Sequence, residues 1–243
     1  MRTNLNDNID WVNEIFEWAD EYEIPPLEFT EPEFDENGNL EQDGYWFGIP
    51  RSSDELINLE ELNLNGLIKS DIPDQFRHLK KLKKLSITDG PQAVWGVEDS
   101  DKDTHSITEI PEWISELDNL EQLNLCNNSI SYIPDSLAKL KNLKGLYLSV
   151  NRIEYITQNL YQLKHLESLW LGVNKTTLQT YEIRSLDNLQ ELWLDGLPGS
   201  EYGPITLKKD CVQFCTSDGY SQIPIEKNKV KNIYEALSMI GLI

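Results

Sequence analysis

Leucine and other aliphatic residues recur with a fixed spacing through the middle of the chain. The pattern Leu-x-x-Leu-x-Leu, with Ile in one place, occurs six times, beginning at Leu59, Leu82, Leu120, Leu143, Leu166 and Leu189. Four of the five intervals are 23 residues and one is 38, so one unit carries a 15-residue insertion, at about residues 91–106. Self-similarity at such a period indicates stacked structural units of one kind.

Within each unit the pattern predicts a short strand. Alternating leucines place two side chains on one face of a strand, while the residues between them point to the other face. A single unit cannot bury its leucines, so neighbouring units stack and their strands form a parallel sheet along one side of a solenoid. The pairs Ile72-Pro73, Ile110-Pro111 and Ile133-Pro134 favour an extended or short-helical return, because proline cannot donate a hydrogen bond into a long helix.

An asparagine occupies the ninth position of three units, at Asn128, Asn151 and Asn174. Its amide suits the bend after the strand, where it can satisfy backbone groups of neighbouring coils. Over residues 56–197 the sequence resembles the leucine-rich repeat family, in its 23-residue form LxxLxLxxNxLxxIPxxLxxLxx. The resemblance implies an α/β solenoid with a curved parallel sheet on the concave face, a short-helical convex face and a ladder of these asparagines.

The flanks are expected to cap the solenoid, because its ends would otherwise expose leucines. In the N-terminal cap, residues 1–55, the apolar spacing of Trp11, Ile15 and Trp18 predicts a helix over 7–22, and a β-hairpin is expected around Asn37-Gly38. In the C-terminal cap, residues 198–243, a strand at 205–207 and a helix over 223–243 are predicted. The three domains are thus 1–55, 56–197 and 198–243.

The opening WVNEIFEWADEYEIP resembles the N-terminal segment of bacterial cytoplasmic leucine-rich repeat proteins. The composition is compatible with that compartment, because only three cysteines are present and no apolar run marks a membrane span or an export signal. We therefore expect a cytoplasmic protein without a membrane association, with secretion by a signal-independent route left open.

The net charge of the chain narrows the classes of possible partner. The 243 residues hold 42 acidic and 21 basic side chains, a net charge of −21, of which −14 falls on residues 1–58. Such a surplus repels a phosphate backbone and argues against nucleic-acid binding. The acidic N-terminal segment is interpreted as a solubilising surface, with a face for a basic partner as the alternative.

The candidate site is the sheet face that points away from the core. In the last three repeats, the residue between the second and third leucines is aromatic. These residues, Tyr147, Trp170 and Trp193, form one column of aromatic side chains. Small residues flank the column, and Val150 and Val173 extend its apolar surface. Exposed aromatics supply large contact areas at low entropic cost, which is typical of protein-binding hot spots. The predicted binding residues are Tyr147, Trp170, Trp193, Val150, Val173, Asn124, Glu191 and Trp95. Internal packing of the column and carbohydrate stacking are the alternatives.

No catalytic or metal-binding motif accompanies this column. Asp99, Asp101 and Asp103 in the insertion resemble the first half of a calcium loop, but the glycine and glutamate that complete such a loop are missing. Cys211 and Cys215 could share a helix face, yet no histidine or further cysteine follows to complete a zinc site. We expect no enzyme activity, metal or cofactor.

Three functions remain after these exclusions. The first is a monomeric, non-catalytic module that binds a protein on its concave face. The second is a secreted effector that recruits a host protein or carries catalysis, although the flanks offer no catalytic set. The third is an acidic binder that neutralises a basic protein, in the manner of an immunity protein, for which strong salt dependence would be expected.

Overall fold

The computed structural model describes residues 10–34, 40–42, 44–68, 72–89, 107–175, 183–193, 204–207, 211–216, 219–224 and 232–239. The predicted insertion at 91–106, with Trp95 and its aspartates, therefore lies outside the described residues. So do residues 176–182 of the fifth repeat.

Six parallel strands form the centre of the molecule, one from each leucine unit. They are β5 (Glu61–Asn63), β6 (Lys84–Ser86), β7 (Gln122–Asn124), β8 (Gly145–Tyr147), β9 (Ser168–Trp170) and β10 (Glu191–Trp193). They pair in chain order, and equivalent positions of successive repeats face each other, as in Leu123 opposite Leu146. Each central leucine is buried and its two neighbours are more exposed in most strands. The predicted solenoid is confirmed.

The opposite side of each coil is a short 3-10 helix. These helices span Asp74–His78, Glu112–Glu116, Asp135–Lys139, Gln158–Gln162 and Ile183–Ser185. The first three follow directly after the prolines of the Ile-Pro pairs, whose fixed φ is compatible with a helix start. Thr157 takes the place of proline in the fourth repeat, and its hydroxyl accepts a hydrogen bond from the N–H of Asn159.

The expected asparagine ladder is present. Nδ2 of Asn151 donates to the carbonyl oxygens of Leu125 and Leu148 at 2.9 and 3.0 Å, and its Oδ1 accepts from the N–H of Ile130 at 3.0 Å. Asn128 and Asn174 make the equivalent bonds one repeat before and after. All three side chains are buried, so the ladder satisfies polar backbone groups at the bend that water cannot reach.

The N-terminal segment contains helix α1 (Asp10–Glu21), strands β1 (Glu28–Thr30), β2 (Glu33–Phe34), β3 (Leu40–Gln42) and β4 (Tyr45–Phe47), and the short helix α2 (Ser53–Ile57). β2 pairs with β3 and β1 with β4, both antiparallel, so one hairpin surrounds the predicted turn. The buried stripe of α1 is centred on Val12, Ile15 and Ala19, whereas Trp11 and Trp18 are only partly buried. The chain then meets β5, because the N–H of Gly48 donates to the carbonyl oxygen of Asn63 at 3.2 Å.

The C-terminal segment differs from the expected helical cap. Strands β11 (Pro204–Leu207), β12 (Cys211–Thr216) and β13 (Gly219–Pro224) continue the sheet beyond β10 in antiparallel order, so the sheet has nine strands. Helix α3 spans Ile233–Met239, and Ile223 and Pro224, which the predicted helix included, lie in β13. Cys211 and Cys215 therefore lie on a strand, and the proposed shared helix face is wrong.

One continuous apolar core joins these parts. It runs from Val12 and Ile15 of α1 through the repeat leucines to Ile233 and Leu237 of α3. The N–H of Ile233 donates to the carbonyl oxygen of Leu189, which attaches α3 to the last coil. At the other end, the Phe76 ring contacts the rings of Trp18 and Trp113 edge to face, between α1 and the first two 3-10 helices.

Candidate protein-binding face

One position of every central strand faces away from the core and forms a row across the sheet. In strand order it holds Asn63, Ser86, Asn124, Tyr147, Trp170 and Trp193, and the pairing registers align all six. The first half of the row is polar and the second half is aromatic. We call Tyr147, Trp170 and Trp193 the aromatic row; the structure brings them together as neighbours, with Asn124 beside Tyr147.

The aromatic row is held by edge-to-face contacts. The ring centroids of Tyr147 and Trp170 are 4.9 Å apart at an interplanar angle of 84°, and those of Trp170 and Trp193 are 4.8 Å apart at 72°. This geometry matches the quadrupole of the rings, positive edge against negative face. All three side chains are partly exposed, so the rings pack on one another and still offer surface to a partner.

Tyr147 owes its position to a glycine two residues earlier. A Cβ at Gly145 would lie 2.6 Å from Tyr147 Oη and 2.9 Å from its Cζ, so the ring covers the place where a side chain would be. Burial raises the pKa of the Tyr147 phenol, and a hydrogen bond with the Ser168 side chain opposes that rise. At neutral pH the phenol is protonated and is a neutral donor and acceptor.

The small residues beside the row are less exposed than the sequence suggests. Ser149 and Cys126, one position beyond the last leucine of their repeats, are buried. Burial raises the pKa of the Cys126 thiol to about 12, so it is an unreactive thiol at neutral pH. These residues fill space beneath the face and offer a partner little direct contact.

Val150 and Val173 follow the strands in an unusual backbone conformation. Their φ angles are +58° and +54°, in the left-handed region, as are those of Asn127 and Gly66 at the same position of other repeats. That region suits glycine and asparagine and is unfavourable for a β-branched residue. Val173 is nevertheless 49% exposed. Val150 is half-buried, so these two valines in an unfavourable backbone conformation, three residues after Tyr147 and Trp170, differ in their exposure.

The residues that close one end of the face are not among the predicted binding residues. A pocket of about 360 Å³ lies on the sheet between the polar half of the row and the N-terminal hairpin. Its walls include Tyr45 and Trp46 of β4 on one side and Tyr147 and Trp170 on the other, and Trp46 is 50% exposed. The aromatic run YWFG was a sequence signal, but nothing local placed it next to the repeats.

Charges on the face are arranged in pairs. On the pocket floor, Lys84 Nζ lies 2.7 Å from the carboxylate of Glu61. Along the entrance to the strands, Lys83 pairs with Glu60 and Lys144 with Glu121, which raises the pKa of both lysines and lowers that of Glu121. Glu191 lies on β10 opposite Ser168, two residues before Trp193. The charges on the pocket floor and at the entrance to the strands are therefore balanced in pairs, and Glu191 adds an acidic side chain near the aromatic row.

The described residues include neither a metal-binding cluster nor a membrane-spanning helix. Within the described ranges, no three His, Cys, Asp or Glu side chains are placed to hold a metal ion. No helix in the described part of the chain is long and apolar enough to cross a membrane. Trp95 cannot be placed relative to the face, since it lies outside those ranges.

Comparison with known proteins supports the fold. Residues 106–153 match the leucine rich repeat family. Among curated proteins no sequence matches significantly. Together with the stacked 23-residue units and the asparagine ladder, the match shows that this chain has a leucine-rich repeat solenoid fold.

Solved structures include similar solenoids. A leucine-rich repeat protein of Leptospira interrogans is 29% identical over 61% of this chain and 34% of its own, with a TM-score of 0.51. An internalin, InlF, of Listeria monocytogenes is 23% identical over 60% of this chain and 38% of its own, with a TM-score of 0.47. The plant peptide hormone receptor RGFR1, in complex with RGF2, is 24% identical over 69% and 25%, with a TM-score of 0.49. This chain thus spans between a quarter and two fifths of these proteins.

Proposed function

We propose that this protein is a non-catalytic module that binds a protein partner through the concave face of its sheet. Leucine-rich repeat folds generally mediate protein–protein interaction, and members of the family are typically not enzymes. The observation that carries the proposal is the aromatic row, which presents three adjacent rings on a rigid sheet.

The neighbourhood of the row supports a binding role. Tyr147 and Trp170 line a pocket that reaches the polar half of the sheet, and the exposed Val173 follows Trp170 three residues later in the chain. An anchor of rigid aromatics with a polar surround is the usual anatomy of a protein interface. The left-handed backbone of Val150 and Val173 supports the same proposal, because backbone strain is common at functional surfaces. We include Asn124 and Glu191 as polar contacts and Trp95 as a contact from the insertion.

The test compares two sets of aromatic substitutions. One variant carries Tyr147→Ala, Trp170→Ala and Trp193→Ala. The control carries Tyr132→Ala and Tyr155→Ala, two aromatics that are 43% and 76% exposed on another side of the coils. Each is used for affinity capture from native lysate beside the wild type, and captured proteins are then purified and titrated directly.

We expect the concave triple variant to lose a partner that the wild type and the Tyr132/Tyr155 variant both retain. Thermal unfolding of all three proteins shows whether the fold is kept. Full affinity in a folded triple variant would refute the proposal. Loss of the partner only in the Tyr132/Tyr155 variant would move the interface away from the concave face.

A second candidate is an acidic binder of a basic protein. Residues 10–34 contain nine acidic and no basic side chains, and those on α1 and β1 are largely exposed. Binding through this surface would weaken steeply with ionic strength, whereas binding through aromatic rings would not. Titration of the captured partner at low and high salt separates the two, and an immunity-like role stands only with the steep dependence.

A further inference from the structure

The polar half of the row is an oriented set of hydrogen-bond donors. Asn63 Oδ1 accepts from the N–H of Asn65 and Asn124 Oδ1 accepts from the N–H of Cys126, both at 3.1 Å. A backbone N–H can only donate, so these contacts fix which amide atom is oxygen. Nδ2 is therefore the donor end of both side chains, and both asparagines line the pocket.

Ser86 lies between the two asparagines and is fully engaged. Its Oγ accepts from Asn124 Nδ2 at 3.1 Å and donates to Asn65 Oδ1 at 2.9 Å. Asn124 retains a second N–H, and within the described residues no hydrogen bond uses Asn63 Nδ2. The floor therefore presents donors two strands apart, at Asn63 and Asn124, and requires a ligand with acceptors at the same spacing.

That spacing selects a backbone conformation for a bound polypeptide. Asn63 lies on β5 and Asn124 on β7, two strands further along the sheet. The two positions are separated by about 9.6 Å, since neighbouring strands lie about 4.8 Å apart. Carbonyl groups of a polyproline II helix recur on one side every about 9.3 Å, whereas those of an extended β-strand recur every about 6.7 Å. A polyproline II segment that runs across the strands therefore matches both asparagines, and a β-strand does not.

The aromatic surfaces at the two ends of the pocket fit the same ligand. Proline-rich segments dock in grooves lined by aromatic rings, which pack on the flat pyrrolidine rings while donors bind the exposed carbonyls. Here Tyr45 and Trp46 bound the donor floor on one side and Tyr147 and Trp170 on the other.

The charge of the N-terminal hairpin indicates which end of the bound segment lies beside it. The hairpin that carries Tyr45 and Trp46 also carries the exposed Glu28 on β1, opposite Phe47, and the exposed Glu31, and its described residues 28–34, 40–42 and 44–47 include no basic side chain. A basic residue on the ligand is attracted to this end of the groove. We infer that the groove from Tyr45 and Trp46 to Trp170 binds a proline-rich segment of the partner in the polyproline II conformation, with its basic end at the hairpin. This inference rests on the proposed protein-binding function.

The test is titration of the full chain with defined peptides, followed by tryptophan fluorescence and calorimetry. The probe is a capped polyproline peptide with two arginines at one end, made in both orientations. Matched peptides carry two glutamates instead, or replace the prolines with alternating glycine and serine while keeping the arginines. A soluble β-1,4-linked glucose oligosaccharide tests the carbohydrate alternative.

Two protein variants match each other in charge. Asn63→Asp with Asn124→Asp keeps the oxygen that accepts from the backbone and removes the donor, so the local turns are retained. The control carries Asn159→Asp and Asn58→Asp, whose side chains make exposed hydrogen bonds away from the pocket lining. Loss of two hydrogen bonds is expected to weaken probe binding by about tenfold or more, with little change in the control.

Binding of one arginine–proline orientation, weaker binding of the glutamate peptide and loss in the Asn63/Asn124 variant would support the inference. Equal binding of the glycine–serine peptide, wild-type affinity in that variant, binding of the oligosaccharide alone, or no binding of any probe would overturn it. In each of these cases the capture experiment with the aromatic triple variant still decides the proposed function separately.

Discussion

The Tyr147 ring occupies the space that a side chain at Gly145 would need, with Tyr147 Oη 2.6 Å from the position of a Cβ. Both residues belong to β8, on the same face of the strand. A glycine in a strand interior weakens the strand and often marks a close approach of another group. Here that group is the phenol ring that begins the aromatic row.

Gly145→Ala is therefore expected to displace the Tyr147 ring without unfolding the protein. The new methyl would contact the end of a side chain that can rotate, not the backbone. Near-ultraviolet circular dichroism should change, because the edge-to-face contact with Trp170 is altered, and affinity for the partner should fall by about tenfold. Ser168→Ala, which removes the hydrogen bond to Tyr147 and adds no volume, is the control. An unchanged aromatic spectrum in Gly145→Ala would contradict the packing described above.

Val173 gives a second prediction, in which stability and binding change in opposite directions. Its left-handed backbone costs a β-branched residue about 1 kcal/mol relative to asparagine, which occupies the same position at Asn127. Val173→Asn should raise the free energy of unfolding in urea by about that amount, and Val150→Asn should act in the same direction.

Affinity for the partner should fall in Val173→Asn, since an exposed apolar contact is replaced by a polar one. Val173→Ala serves as the control, because it shortens the apolar side chain without supplying the asparagine amide. If Val173→Asn were more stable and bound equally well, the valine would have no role in the interface.

The repeat region was predictable because its signal is local and repeated. Each strand is specified by leucines two residues apart, and six copies at one spacing fix the stacking order and the register. The asparagine ladder follows from the same period. The strand predicted at 205–207 corresponds to β11, whereas β12 and β13 were missed. They lie outside the repeat pattern, and the predicted helix included Ile223 and Pro224, which belong to β13.

The pocket could not be predicted for a different reason. Tyr45 and Trp46 reach it because the chain turns at Gly48, where φ is +93°, and its N–H bonds to the carbonyl oxygen of Asn63. That contact joins two segments with unrelated sequence patterns. Periodicity describes each segment separately and contains no information about where the hairpin meets the sheet.

The asparagine ladder yields a prediction about stability. Asn151→Ala leaves the buried N–H of Ile130 and the carbonyl oxygens of Leu125 and Leu148 without this partner. Buried polar groups that lose their partners are costly, so the free energy of unfolding should fall by about 3 kcal/mol. Urea denaturation measures it. Asn142→Ala removes a hydrogen bond from an exposed asparagine to Asp118 and should cost less than about 1 kcal/mol. If both variants lost the same free energy of unfolding, the buried hydrogen bonds of the ladder would stabilise the fold no more than an exposed hydrogen bond does.

The attachment of α1 should depend on pH through His78. The indole of Trp11 stacks on the His78 imidazole, with ring centroids 5.2 Å apart and an interplanar angle of 27°. Burial lowers the pKa of His78 below 6.5, as do the charges of Lys80 and Arg77, while Glu116 and Glu14 oppose them. The folded state therefore binds fewer protons than the unfolded state in this range. The stability contributed by neutral His78 is present above pH 6.5 and is lost as the pH falls through the lowered pKa.

Amide hydrogen exchange across α1 at pH 7.5 and pH 5, corrected for the intrinsic pH dependence of exchange, should show weaker protection at the lower pH. His78→Phe keeps a ring against Trp11 and cannot be protonated, so in that variant the change should be smaller. Carboxylates titrate at lower pH than a histidine and affect both proteins alike, which is why the difference between wild type and variant is the relevant quantity. Stronger protection of α1 in the wild type at pH 5 would mean that attraction between the imidazolium and the indole face outweighs the burial of the charge.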